Sequence, residues 1–147
     1  MNNTGSVFRS SDAFLVERVV LCGITAKPPH KDIHKTALGA TESVNWEYYN
    51  DTLDAVISLR EEGYKIIGIE QTEKSYALQD FQPQPDEKYA VIFGHEVRGI
   101  NQKVIDICDF TIEIPQFGTK HSLNISVCAG IVIWEFFRKL NKQGLIE

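Results

Sequence analysis

Tyr89-Ala-Val-Ile-Phe93-Gly94-His-Glu96-Val-Arg98-Gly-Ile100 is the stretch on which the reading of this chain turns. Five apolar, largely β-branched and aromatic residues predict a strand. A glycine stands directly at its carboxyl end. Glycine there lets a ligand approach the backbone, and the carboxyl ends of strands are where open α/β sheets bind ligands. The same glycine also suits a plain tight turn carrying solvated charges, and the residues alone leave both readings open. The spacing is neither a GxGxxG fingerprint nor a P-loop.

Working outward, the same short apolar runs recur: Arg18 to Cys22, Trp46 to Tyr49, Lys65 to Ile69 and Phe110 to Ile114. Between them lie segments of helical period. Asn50 or Asp51 caps a helix with the stripe Leu53, Val56, Ile57 and Arg60, ending at Gly63. A short helix is expected from Gln102 to Cys108, and a final one from near Leu123 to Leu140. Strands alternating with helices predict an α/β domain with a mainly parallel sheet and helices on both faces. The polar stretch Glu70 to Lys88, with Pro83 and Pro85, is long for a connection, which suggests a short helix or part of a site within it. The last helix carries apolar residues at Val127, Ile131 and Trp134 and again at Cys128, Val132 and Phe136. A helix so apolar needs burial on two sides, against the sheet and against a partner subunit.

With 147 residues and 16.7 kDa the chain fits one domain, and 43% apolar with 10% aromatic residues suffices for a globular core. Its net charge of −5 argues against a polycationic nucleic-acid binder, though not against a local basic patch. Cys22, Cys108 and Cys128 are far apart and odd in number, as expected of reduced core thiols. Asn, Asn, Thr and Gly after Met1 do not make a signal peptide, and the apolar-rich run Ile125 to Phe137 is too short to cross a bilayer. A soluble cytoplasmic protein is expected.

Two further segments carry chemistry. In Asn3-Thr-Gly-Ser-Val-Phe-Arg9-Ser-Ser-Asp-Ala-Phe14 a small-residue turn leads into a helix, with Asn3 before it and Arg9 about one turn inside. Such a turn can offer backbone N–H groups and an arginine to a phosphate, or it is simply an N-terminal helix with a solvated arginine. In Ile114-Pro115-Gln-Phe-Gly-Thr-Lys-His-Ser122-Leu-Asn124-Ile-Ser126 a strand ends at proline and three small polar residues open the last helix. Any one of them is an ordinary cap; three are more than a cap requires.

Taken in order and spacing, these three segments resemble the motifs of the SpoU/TrmH branch of the SPOUT RNA methyltransferases: N-x-G-S-V-F-R-S-S-D-A-F (Asn3 to Phe14), I-F-G-H-E-V-R-G-I (Ile92 to Ile100) and I-P…S-L-N-I-S-V (Ile114 to Val127). The resemblance covers nearly the whole chain, and His34 to Val44 is similar to Bacteroidetes-type members. It implies an α/β fold whose C-terminal part threads a deep trefoil knot, an exception to the rule that connections do not thread loops. It implies S-adenosylmethionine as cofactor, held by Ile69, Glu70, Gln71, Thr72, Gly94, Ile114, Ser122, Leu123 and Asn124, chiefly through backbone.

The reaction implied is methyl transfer to a ribose 2′-hydroxyl of structured RNA, with tRNA favoured over rRNA, by a homodimer whose first motif reaches the partner's cofactor. Arg9 takes the leading role, with Asn3, Glu96, Ser122 and Asn124 shaping the site. A guanidinium seldom gives up its proton, so Arg9 is better suited to hold a phosphate and stabilise alkoxide charge while a base or water completes the transfer. Glu96 either orients Arg9 or the hydroxyl, or is a structural ion-pair partner.

Candidates for a basic RNA-holding rim are Arg9, Lys27, His30 and Lys31, and further along Lys35, Arg98, Lys120 and His121. His30 and His34 are spaced i, i+4 but lack a third ligand, so no metal is expected. Family members normally carry a strand ahead of the first motif, often after an RNA-binding extension, whereas Met1 stands only two residues ahead of Asn3. Either the start is truncated, or the strand and the extension with it are absent. Rival readings are a catalytically silent RNA-binding relative and, further off, a nucleotide-binding α/β domain unrelated to methylation.

Overall fold

A computed structural model describes residues 2–141 apart from 24, 26, 31, 32, 34, 35, 96, 97 and 119–122. In chain order the elements are α1 (Asn2–Ala13), β1 (Arg18–Cys22), α2 (Ala40–Ser43), β2 (Asn45–Tyr49), α3 (Thr52–Glu61) and β3 (Tyr64–Ile69). There follow β4 (Tyr76–Ala77), a 3₁₀ turn (Leu78–Asp80), β5 (Lys88–Phe93), α4 (Gln102–Asp106), β6 (Phe110–Glu113) and α5 (Ile125–Leu140). Every ladder is parallel: β1 pairs with β2, and a four-stranded sheet runs in the order β4-β6-β3-β5. The α/β architecture with a parallel sheet is as expected.

β3 is the central strand because it can be buried on both faces. Ile66 and Ile67 are both fully buried, and successive residues point to opposite sides. Ile66 joins Val56 and Leu59 of α3 and Val104 of α4 on one face; Ile67 joins Ile112, Val132 and Phe136 on the other, under α5. The ladder is pinned outside the strand too. Asp109 accepts from the Ile66 N–H through Oδ2 at 2.7 Å, and its own N–H donates to the Ile66 carbonyl at 2.8 Å.

Several expectations need correction. Asp51 caps α3, accepting from the Leu53 N–H at 3.0 Å, but the buried face is Ala55, Val56 and Leu59, while Ile57 is 43% exposed. Val56 and Leu59 face Ile66 and Val104, with Leu53 packed against them, which turns Ile57 away from that contact. The short helix expected in the Glu70 to Lys88 connection is present, as the 3₁₀ turn after β4 rather than as an α-helix, and Glu70 lines a cleft. Lys139 fastens the connection, its ammonium donating to the carbonyls of Leu78 (3.0 Å), Gln79 (3.1 Å) and Phe81 (2.6 Å).

A further correction concerns the first segment. Asn3, Gly5 and Ser6 are already helical, so the expected turn before the helix does not exist. A Cβ built on Gly5 would lie 1.7 Å from Oγ1 of Thr36 and 2.8 Å from the Ile33 carbonyl, so this glycine permits close packing rather than a bend. α1 buries Phe8 and Ser11, and Phe14, just past its end, packs its ring against Trp134 (5.3 Å) and Phe137 (5.7 Å) of α5.

Candidate active site

The carboxyl ends of β3 and β5 and the first turn of α5 converge on one cleft of about 570 Å³. Register brings this about. Ile69 lies opposite Phe93 on one side and Ile112 on the other, so the residues that follow β3 and β5, Glu70 and Gly94, come out side by side. Among the described residues the lining is Ile69, Glu70, Phe93, Gly94, His95, Arg98, Gly99, Leu123, Asn124, Ile125 and Cys128.

Gly94 has a steric reason. A Cβ there would fall 2.4 Å from the Gly99 carbonyl carbon and 2.6 Å from the Ile100 nitrogen. The chain turns back on itself, with the His95 N–H donating to Gly99 O (3.1 Å) and the Gly99 N–H to His95 O (2.8 Å). Gly99 sits at φ +69, in the left-handed region that glycine adopts freely. The Ile100 N–H then donates to Oε2 of Glu70 at 2.9 Å. On the opposite wall Asn124 caps α5, its Oδ1 accepting from the N–H (2.9 Å) and the hydroxyl (2.6 Å) of Ser126. Cys128, one turn further, shows its thiol to the cleft, and burial pushes its pKa up.

Of the residues proposed from sequence to hold a cofactor, Ile69, Glu70, Gly94, Leu123 and Asn124 meet in this cleft. Gln71, Thr72 and Ile114 are not among its lining. Thr72 is engaged in a hydroxyl cluster with Ser75 (2.9 Å) and Thr111 (3.2 Å), and Ile114 packs on the core beneath α5. Glu96 and Ser122 lie outside the described residues, as do Lys31, Lys35, Lys120 and His121 from the basic rim and His34 from the histidine pair. Arg9 is exposed on α1, and neither it nor Asn3 lines the cleft of its own chain.

Arg98, placed on the rim by sequence, lines the cleft itself. Lys27 is exposed with its ammonium 4.6 Å from the Tyr48 ring centre, and His30 is half-buried. Sequence reasoning passed over His95 and Gly99, although both fall inside the motif it quoted. It also passed over Cys128, which shares the helix face of Asn124 by the i, i+4 rule. Among the described residues no group of three His, Cys, Asp or Glu side chains could hold a metal ion. Nor is any described helix long and apolar enough to cross a membrane.

A larger hollow, about 830 Å³, opens at the amino ends of the strands, lined by Arg18, Glu47, Glu62 and Lys88 among others. There Arg18 pairs with Glu47 at 2.8 Å and with Glu62, while its buried Nε has no hydrogen-bond partner among the described residues. The hollow lies at the wrong end of a parallel sheet to be the chemical site.

A parallel α/β sheet with a glycine-built cleft at its carboxyl ends defines a small-molecule-binding α/β domain. Residues 1–134 match the SpoU rRNA methylase family, and the chain belongs to that family. A candidate TrmH family tRNA/rRNA methyltransferase of Staphylococcus aureus is 31% identical over 145 residues, covering 99% of this chain and 57% of the relative. The S-adenosylmethionine-bound rRNA methyltransferase of Sinorhizobium meliloti superposes with a TM-score of 0.83 at 21% identity, over 93% of this chain and 51% of that one. An RNA 2′-O ribose methyltransferase superposes equally well, with a TM-score of 0.83 at 20% identity over 94% of this chain and 52% of its own. The chain thus spans about half the length of these proteins. The methyl donor that belongs with the family is S-adenosylmethionine.

Proposed function

We propose that residues 1–147 form one S-adenosylmethionine-dependent methyltransferase domain that modifies a ribose 2′-hydroxyl of structured RNA, tRNA in preference to rRNA. In this reading it works in the cytoplasm as a homodimer and threads the trefoil knot of its family. The observation that carries the reading is the convergence of Glu70, Gly94, Leu123 and Asn124 on one cleft at the carboxyl ends of β3 and β5. Its volume of about 570 Å³ suits a nucleoside-sized ligand, and its lining suits one with an apolar body and polar ends. Ile69, Phe93, Leu123 and Ile125 supply apolar walls; Glu70, His95, Arg98 and Asn124 supply the polar ones.

When bound, the cofactor supplies a methyl group activated by the sulfonium charge. The chain's task is then alignment and charge. The closed Gly94–Ile100 turn fixes one wall, and Arg98 and Lys27 offer positive charge to RNA phosphates in a protein that is acidic overall. Arg9 holds the phosphate beside the target ribose and stabilises negative charge growing on the 2′-oxygen, while water or a base takes the proton. Because Arg9 does not line its own chain's cleft, it serves the cleft of a second copy. Support for pairing comes from α5, where Val127, Ile131 and Trp134 form an exposed apolar stripe opposite the buried Ala129, Val132 and Phe136.

The test is transfer of tritiated methyl from S-adenosylmethionine to total tRNA and rRNA, followed by nuclease digestion to locate the label. Label on a 2′-O-methyl nucleotide of tRNA is expected. Arg9→Ala is expected to abolish transfer while leaving cofactor affinity unchanged. Cofactor binding and RNA binding without any transfer would instead identify a silent relative, and no cofactor binding at millimolar concentration would refute the reading outright.

A further inference from the structure

We infer that Glu70 is a positioning residue whose carboxylate ties Ile100, and with it Gly99 and Gly94, to the end of β3 and so holds the cofactor-facing wall in its binding shape. This rests on the cofactor reading above and adds to it a role for one side chain. Glu70 bonds to three different segments at once. Its N–H donates to the Ile112 carbonyl in β6 at 3.1 Å, and its carbonyl accepts from the Ser75 hydroxyl at 2.7 Å. Its side chain crosses to the turn after β5, where Oε2 takes the Ile100 N–H at 2.9 Å.

The two backbone bonds between His95 and Gly99 close the turn on itself but do not tie it to the sheet. The Glu70–Ile100 bond does tie it, and an ionised acceptor makes such a bond shorter and stronger than a neutral one. The fit is close on the other side as well. A Cβ at Gly99 would stand 2.5 Å from the same Oε2, so the carboxylate rests directly against a residue with no side chain. Ile100 itself packs into the core with Ile66 and Val104, so the bond joins a core residue to the wall rather than steadying a free loop. Gly94, Arg98, Gly99 and Glu70 all line the cleft, and loosening the bond frees that whole wall.

A clamp and a direct ligand contact respond differently to substitution. Glu70→Gln keeps an oxygen that can accept from Ile100 and removes only the charge; Glu70→Ala removes the acceptor. The experiment measures S-adenosylmethionine affinity by calorimetry and amide hydrogen exchange at Ile100, with the Ile66 and Ile67 amides of the core strand as internal reference. For a clamp, Glu70→Ala weakens cofactor binding by about tenfold or more and speeds Ile100 exchange by a similar factor, consistent with loss of one charge-assisted bond. Exchange at Ile66 and Ile67 stays put, and Glu70→Gln recovers most of both losses.

Glu70→Ala binding within twofold of the unaltered protein overturns the clamp. Glu70→Gln binding as poorly as Glu70→Ala, with Ile100 still protected, also overturns it and makes the charge a direct ligand contact. An unaltered protein that binds no S-adenosylmethionine overturns the methyltransferase reading, and the clamp's purpose with it.

Discussion

Gly94→Ala puts the construction of the cleft to its most direct test. The new methyl carbon would stand 2.4 Å from the Gly99 carbonyl carbon, 2.6 Å from the Ile100 nitrogen and 2.9 Å from the Gly99 Cα. All three are backbone atoms, so no side chain can swing away. Ordinary contact begins near 3.4 Å, and the turn must therefore open by about 1 Å. Overpacking of this kind costs about 1–3 kcal/mol. The shift also strains the bonds at His95, Gly99 and Ile100, and losing one of them adds about 1 kcal/mol. Against this, alanine restricts the unfolded chain and returns about 0.5 kcal/mol. The balance is about 1.5–3.5 kcal/mol. If only the closed turn accepts the cofactor, affinity falls by about 10- to 400-fold. Calorimetric titration with S-adenosylmethionine reads this directly, beside a melting curve expected to drop by about 6 °C. Binding within threefold of the unaltered protein would refute the idea that the cleft depends on this close approach.

Lys139→Met leaves three carbonyls without a donor on a side chain that is only 6% exposed, which costs about 3 kcal/mol and lowers the melting temperature by about 9 °C. Cofactor affinity stays unchanged, because neither Lys139 nor its acceptors line the cleft. Iodoacetamide is expected to label Cys128 more slowly when S-adenosylmethionine is present, while Cys22 and Cys108, which do not line the cleft, label at unchanged rates; peptide mass mapping distinguishes the three. Since the thiolate is the reactive form and burial raises the Cys128 pKa, its labelling climbs with pH and reaches half its maximum above the pH at which a free thiol does. Trp134→Glu puts a charge in the exposed stripe of α5 and is expected to shift the light-scattering mass from twice 16.7 kDa to 16.7 kDa, while a mass unchanged at either value argues against that stripe as the contact.

Strands were legible wherever both faces are buried, since burial on both sides removes the need for polar residues. Ile66 and Ile67 show this within two positions. Gly94 alone left a ligand approach and a tight turn both open, and the three motifs taken together placed it at the site. What could not be read depends on contacts distant in sequence. Nothing in Asn3-Thr-Gly says that Gly5 meets Thr36 inside a helix rather than making a turn before one. Nothing near Ile57 says that Ile66 and Val104 will face Val56 and Leu59 and leave Ile57 out. Glu70 could be placed at the wall, but its bond to Ile100 crosses thirty positions and leaves no local pattern. Lys139, a charged residue near a helix end, looks like solvated surface until the 3₁₀ turn is seen beneath its ammonium.

α5 lines the cleft at its first turn, packs on the sheet with one side and leaves an apolar stripe on the other. In a rod so placed, a small tilt felt at the mouth is felt along the flank. Under the proposed function, loading and association would share one lever, and thermodynamic reciprocity would fix the relation: whatever factor the donor adds to subunit affinity, pairing adds to donor affinity.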